Sequence, residues 1–169
     1  GYRAGSRMLL TLLLSAFVNF ALKDLFAQPR PFDLEPRIGP DREMGFGVPS
    51  GHAQHTMIEW GLIAAWVGRR WFTVLAVLLF VLIGFSRVYL GVHFPTDVLA
   101  GWALGGALLW LHLRHADAIA GRLAAAGLPA QIATATACSA LFVAFYLLLP
   151  RTPYLVGVGG LFLGAAVGM

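Results

Sequence analysis

The sequence predicts an all-α integral membrane bundle with about six spans. Hydrophobic residues make up 59% of the 169-residue chain, while charged residues make up 12%, about half the share of a soluble domain. The mean hydropathy is +0.76. The apolar residues also fall into long runs bounded by charge, Gly or Pro, as membrane helices do. No linker-like shift in composition divides the chain, so residues 1–169 are expected to form one domain. It opens at Gly1 without a leader-cleavage pattern and closes in an apolar run, which predicts a piece of a longer chain. The net charge of +4 is spread over several loops with no basic run, which argues against a nucleic-acid partner. A single cysteine, Cys138, leaves no intrachain disulfide or cysteine-based metal site.

The expected spans are Met8–Leu22, His52–Val67, Trp71–Phe85, Val98–Leu113, Pro129–Leu149 and Tyr154–Met169. Some are shorter than a full crossing of about 20 residues, so polar residues at their ends are expected to extend the helices. Consecutive spans run in opposite directions, so the long loop after the first and the short loop 86–97 must open on the same face. The other face receives Arg3, Arg7, Arg69, Arg70, Arg114 and Arg122, and the positive-inside tendency makes it cytoplasmic. His112 and His115 on that face read as interfacial residues. The long loop, with Asp33, Glu35, Asp41 and Glu43 among its prolines and glycines, is expected to form a mostly irregular flap. Gly101 and Gly105, the alanines at 130, 133, 137 and 140, and the glycines at 160, 164 and 168 allow close helix packing within the bundle.

Three polar clusters stand at helix ends on the extracytoplasmic face. Lys23 precedes Arg30, which is held between Pro29 and Pro31. Ser50 is a natural N-cap for the helix that follows, and Gly51 lets an anion approach its free N–H groups, with His52 facing the same loop. Arg87 ends one span, and Pro95 starts the next helix, leaving His93 just outside its N-terminus. Asp97 is then placed to reach back to His93 and hold one ring nitrogen while the other faces a substrate. Three cations around a helix N-terminus suit a multiply charged oxyanion such as phosphate. Two histidines suit transfer of a phosphoryl group, one attacking and the other protonating the leaving oxygen. His55 and Glu59 share a helical face with His52. They either tune its acid role or form a polar pair that satisfies only itself.

In order and spacing, Lys23 through Arg30-Pro31, Pro49-Ser50-Gly51-His52, and Ser86-Arg87 through His93 to Asp97 resemble the three-part signature of the type 2 phosphatidic acid phosphatase family. The resemblance covers residues 23–97. It implies a PAP2/acid phosphatase-like helical core and a membrane phosphatase acting on a lipid phosphomonoester or pyrophosphate, such as polyprenyl pyrophosphate, phosphatidic acid or phosphatidylglycerol phosphate. Under it, His93 is the nucleophile that becomes phosphohistidine, Asp97 orients it and His52 is the general acid. Lys23, Arg30, Ser50, Gly51 and Arg87 bind the phosphoryl oxygens. The resemblance implies no metal or other cofactor, and a bacterial inner-membrane location with the site outside the cytoplasm. The family core places two helices ahead of the lysine-arginine cluster, whereas here one precedes it and extra helices follow over 128–169.

A phosphotransferase would share the first half-reaction, and a non-enzymatic transporter would use the cations as an ion site. The vanadium-dependent haloperoxidases resemble these clusters but are soluble. The oligomeric state is not readable from the chain.

Overall fold

The computed structural model describes residues 2–39 and 42–148, and in it the described chain is helical. Helix α1 (Tyr2–Phe26) ends with Lys23 in its last turn, and α2 (Pro31–Leu34) is one turn in the flap. Helix α3 (Gly51–Val67) and α4 (Arg70–Tyr89) pack together as a helical hairpin. Gly68 makes the corner in the left-handed region (φ 64°), its N–H bonded to the Ala64 carbonyl, a geometry that glycine adopts without a Cβ penalty. Helix α5 (Pro95–Leu148) is broken at Gly127 (φ 81°, ψ 172°).

The chain resolves into two compact units, residues 22–109 and residues 1–21 with 110 onward. In the first, Ala53, Ile58, Leu62, Val92 and Val98 are buried together with Lys23, Asp24, Arg30, Ser50, Gln54, His93 and Asp97. A core with so much buried polarity is expected only where the groups satisfy one another or serve a ligand. By contrast, α4 exposes Val74, Val77, Leu78, Leu82 and Phe85, a surface that lipid would cover. In the second unit Phe17 stacks on Phe142 at 4.2 Å, Arg7 pairs with Asp117, and Thr11 Oγ1 lies 2.6 Å from His112 Nδ1. His112 is therefore engaged with α1, where the sequence suggested only an interfacial residue.

Among the described residues three stretches are long and apolar enough to cross a membrane: Ala4–Leu34, Arg70–Tyr89 and Pro95–Phe145. At 17 residues, α3 is shorter, although its position matches the expected span 52–67. The span expected at 98–113 extends further, because the helix runs on through Arg114, Asp117 and Arg122 to the break at Gly127, after which a second helix covers the described part of the expected span 129–149. Alanine-rich sequence between those charges favours helix, so charge alone does not stop it. The expected span at 154–169 lies outside the described residues. Trp66 and Trp71 are exposed beside Arg69 and Arg70 at the α3–α4 corner, the residue types of an interfacial belt. The start of α3 is about 25 Å from that corner at 1.5 Å per residue, which puts the polar cluster at the other end of the hairpin.

Candidate active site

Between α4 and α5 the chain turns within five residues. The N–H groups of Val92 and His93 donate to the Arg87 carbonyl at 3.2 and 3.3 Å, and Gly91 (φ 69°) makes the turn close against Ile38. Pro95 then opens α5 where a missing N–H costs nothing. Asp97 Oδ2 accepts the Phe94 N–H at 2.9 Å and lies 3.2 Å from His93 Nδ1, while Gln28 Nε2 donates to Asp97 Oδ1 at 3.4 Å. The carboxylate is thus fixed from three sides and is fully buried. It holds the ring proton on Nδ1, which leaves the lone pair on Nε2. Burial chiefly lowers the pKa of His93. Its hydrogen bond to Asp97 works the other way, and the charges of Arg30 and Lys23 lower it further. The ring is therefore neutral at neutral pH, with Nε2 able to attack.

That nitrogen faces cations. Arg30 Nη1 donates to Nε2 at 3.4 Å and to the Val92 carbonyl at 3.0 Å. Its Nε and Nη2 donate to the carbonyls of Gly45 and Met44 at 2.8 and 3.1 Å, and its own N–H binds Asp33 Oδ2 at 2.8 Å. The guanidinium is 3% exposed, and the flap backbone fixes its plane. Lys23 Nζ donates to the carbonyls of Phe46 and Gly47, the latter at 3.0 Å. Arg87, in the last turn of α4 where the helix dipole favours a cation, donates through Nε and Nη2 to Ser86 Oγ, each at 3.2 Å.

The start of α3 is held against the start of α5. The Ser50 N–H donates to the Asp97 carbonyl at 2.9 Å, and Ser50 Oγ caps α3 by accepting the Ala53 N–H at 3.5 Å. Gly101 and Gly105 make the contact possible, since a Cβ on either would come within 2.6 Å of the Ser50 or Gln54 carbonyl oxygen. His52 stands exposed at the rim, near enough to Glu43 for its charge to stabilise that carboxylate. His55 and Glu59 follow on α3, both partly buried.

Every residue singled out from the sequence in the three clusters therefore lies in the unit spanning residues 22–109, and Lys23, Arg30, Ser50, Arg87, His93 and Asp97 are tied together by the contacts above. Two further residues join them. Gln28 steadies Asp97, and Glu43 reaches in from the flap to Arg30, Arg87 and the His93 ring, with contacts of 2.7, 3.5 and 3.8 Å. Nothing in the flap sequence sets Glu43 apart from Asp33 or Glu35. Among the described residues no three His, Cys, Asp or Glu side chains are gathered as metal ligands, and Lys23, Arg30 and Arg87 bring positive charge to the site. The arrangement can grip an anion and present it to a histidine nitrogen.

The family model described as PAP2 superfamily matches residues 4–119. Among curated proteins, an undecaprenyl-diphosphatase of Sulfolobus acidocaldarius is 30% identical over 66% of this chain and 55% of its own length. A phosphatidylglycerophosphatase B of Bacillus subtilis is 35% identical over 63% of this chain and 55% of its own. A solved transmembrane PAP2-type phosphatidylglycerolphosphate phosphatase from Bacillus subtilis superposes with a TM-score of 0.61 at 32% identity, covering 66% of this chain and 58% of that one. The chain thus spans about half the length of the curated relatives it matches.

Proposed function

The chain belongs to the PAP2 superfamily, and from that premise we propose that it hydrolyses a lipid phosphomonoester or pyrophosphate through a phosphohistidine on His93. The substrate's terminal phosphate docks on Lys23, Arg30, Arg87 and the α3 N-terminus, with Ser50 and the Gly51 N–H beside it. His93 Nε2 attacks phosphorus, forming the N–P bond as the bond from phosphorus to the leaving oxygen breaks. His52 gives that oxygen its proton, and the dianionic phosphate beside it favours the protonated ring beforehand. Water, deprotonated by His52, then attacks phosphorus. The N–P bond breaks, inorganic phosphate leaves and His93 is restored. Asp97 stabilises the positive charge that develops on the ring, and the three cations neutralise the equatorial oxygens of both transition states.

The observation that carries this reading is the buried His93–Asp97 pair at 3.2 Å with Nε2 turned toward Arg30. Polyprenyl pyrophosphate, phosphatidic acid and phosphatidylglycerol phosphate share the terminal group this site would take. In our reading the bundle has about six spans. The membrane is a bacterial inner membrane, with the site on its extracytoplasmic side, opposite the arginines at 69 and 70. The test is phosphate release from short-chain lipid phosphates and pyrophosphates in detergent with EDTA present. Release by the native chain that disappears in His93→Ala is expected, and equal release by both would defeat the proposal.

A further inference from the structure

The carboxylate of Glu43 occupies the place where an anionic substrate belongs. Its Oε2 lies 2.7 Å from Arg30 Nη1 and 3.8 Å from His93 Nε2, and its Oε1 lies 3.5 Å from Arg87 Nη1. Two guanidiniums and the attacking ring nitrogen therefore converge on a group that is not substrate. Burial by itself pushes this carboxyl up, but the hydrogen bond and charge of Arg30 hold it below the usual carboxylate range. It is seated as an anion.

The seat can also be vacated. The Glu43 side chain is 28% exposed, against 3% for Arg30. Its neighbours Met44, Gly45, Phe46 and Gly47 are anchored through their backbone carbonyls to Arg30 and Lys23, independently of the carboxylate. Rotation of one side chain would open the site without moving the flap.

Resting on the phosphatase reading, the geometry points to Glu43 as a resident anion that sets a charge threshold, so that a terminal phosphate displaces it and a phosphodiester does not. Exchanging the carboxylate for a diester headgroup trades one negative charge for another and gains nothing electrostatically. A phosphomonoester or terminal pyrophosphate brings close to two charges at neutral pH and three acceptor oxygens, enough for Arg30, Arg87 and the helix N-terminus together. A lipid bilayer presents the enzyme with a large excess of phosphodiester headgroups. The carboxylate keeps them off the arginines.

The test is calorimetric binding of inorganic phosphate and of dimethyl phosphate to the detergent-purified chain and to Glu43→Gln and Glu43→Ala. The native chain is expected to bind inorganic phosphate and to show no dimethyl phosphate binding. In both variants each anion gains about tenfold, the equivalent of one charge-assisted hydrogen bond that no longer has to be broken, and diester binding becomes measurable. A gain of affinity cannot arise from a misfolded sample. Unchanged or weaker phosphate binding in both variants, with the native chain binding normally, overturns the role of Glu43 and leaves the phosphatase reading standing. Absence of phosphate binding in all three chains overturns both.

Discussion

Replacing Asp97 with Asn removes one charge from a site that otherwise keeps its shape. Asn has the same outline, and its carbonyl oxygen can still accept the Phe94 N–H that Asp97 accepts at 2.9 Å. What is lost is the carboxylate 3.2 Å from His93 Nδ1, where attack on phosphorus makes the ring positive. At an effective dielectric of about 20, two unit charges at that separation attract by about 5 kcal/mol. The Phe94 N–H and the Gln28 amide already draw on the same carboxylate, so the loss expressed in the transition state is smaller than the full pair energy. A fall in kcat of about 10³-fold is expected, with KM changed little because the phosphate-binding cations are untouched. The assay is steady-state phosphate release from a short-chain lipid phosphate, with thermal unfolding in detergent as the control for folding. A loss of less than about tenfold in a chain that melts like the native one would refute the assignment of Asp97 as the group that orients and charges the nucleophile.

Three further expectations follow from the same geometry. His93 attacks only when Nε2 is unprotonated and its pKa is lowered, so kcat/KM is expected to hold as pH falls past the ordinary histidine value of about 6.5 and to drop only below it. A pH–rate profile whose acid limb lies above that value would contradict it. Gly105→Ala places a Cβ 2.6 Å from the Gln54 carbonyl oxygen, which must shift the α3–α5 contact. It is expected to cost about 1–3 kcal/mol of stability, read as a lower melting temperature, and to lower turnover with it. Glu59→Gln is expected to move the pH dependence of turnover if Glu59 tunes His52 through His55, and an unchanged profile would reduce the pair to local packing.

The geometry of the candidate site was largely legible in the sequence because its parts are built by short-range rules. Pro95 and Asp97 fix where α5 begins and what the carboxylate reaches, and Ser50 caps α3 as its residue type predicts. Alternating span direction brought the two loops to one face, and the contacts from Arg30 to Val92 and from Gln28 to Asp97 agree. Gly101 and Gly105, read as packing residues, lie against the Ser50 and Gln54 carbonyls. Glu43 was not legible, because its place beside Arg30 and Arg87 comes from where an irregular flap lands and not from its neighbours in sequence. The flap itself was expected to be irregular, and its described residues are, apart from the single turn of α2. The helix end placed near Leu113 was wrong for a different reason. Arg114, Asp117 and Arg122 looked like a boundary, but alanine-rich sequence carries the helix past them until Gly127 leaves helical geometry.

The central claim is that His93 becomes covalently phosphorylated. The direct measurement is rapid acid-free quenching of the chain with a phosphorus-32-labelled short-chain lipid phosphate, followed by mapping of the labelled peptide. Label that survives base, is released by acid and falls on the peptide containing His93 is the predicted result, with none in His93→Ala. Steady turnover by a native chain that never carries label would contradict it.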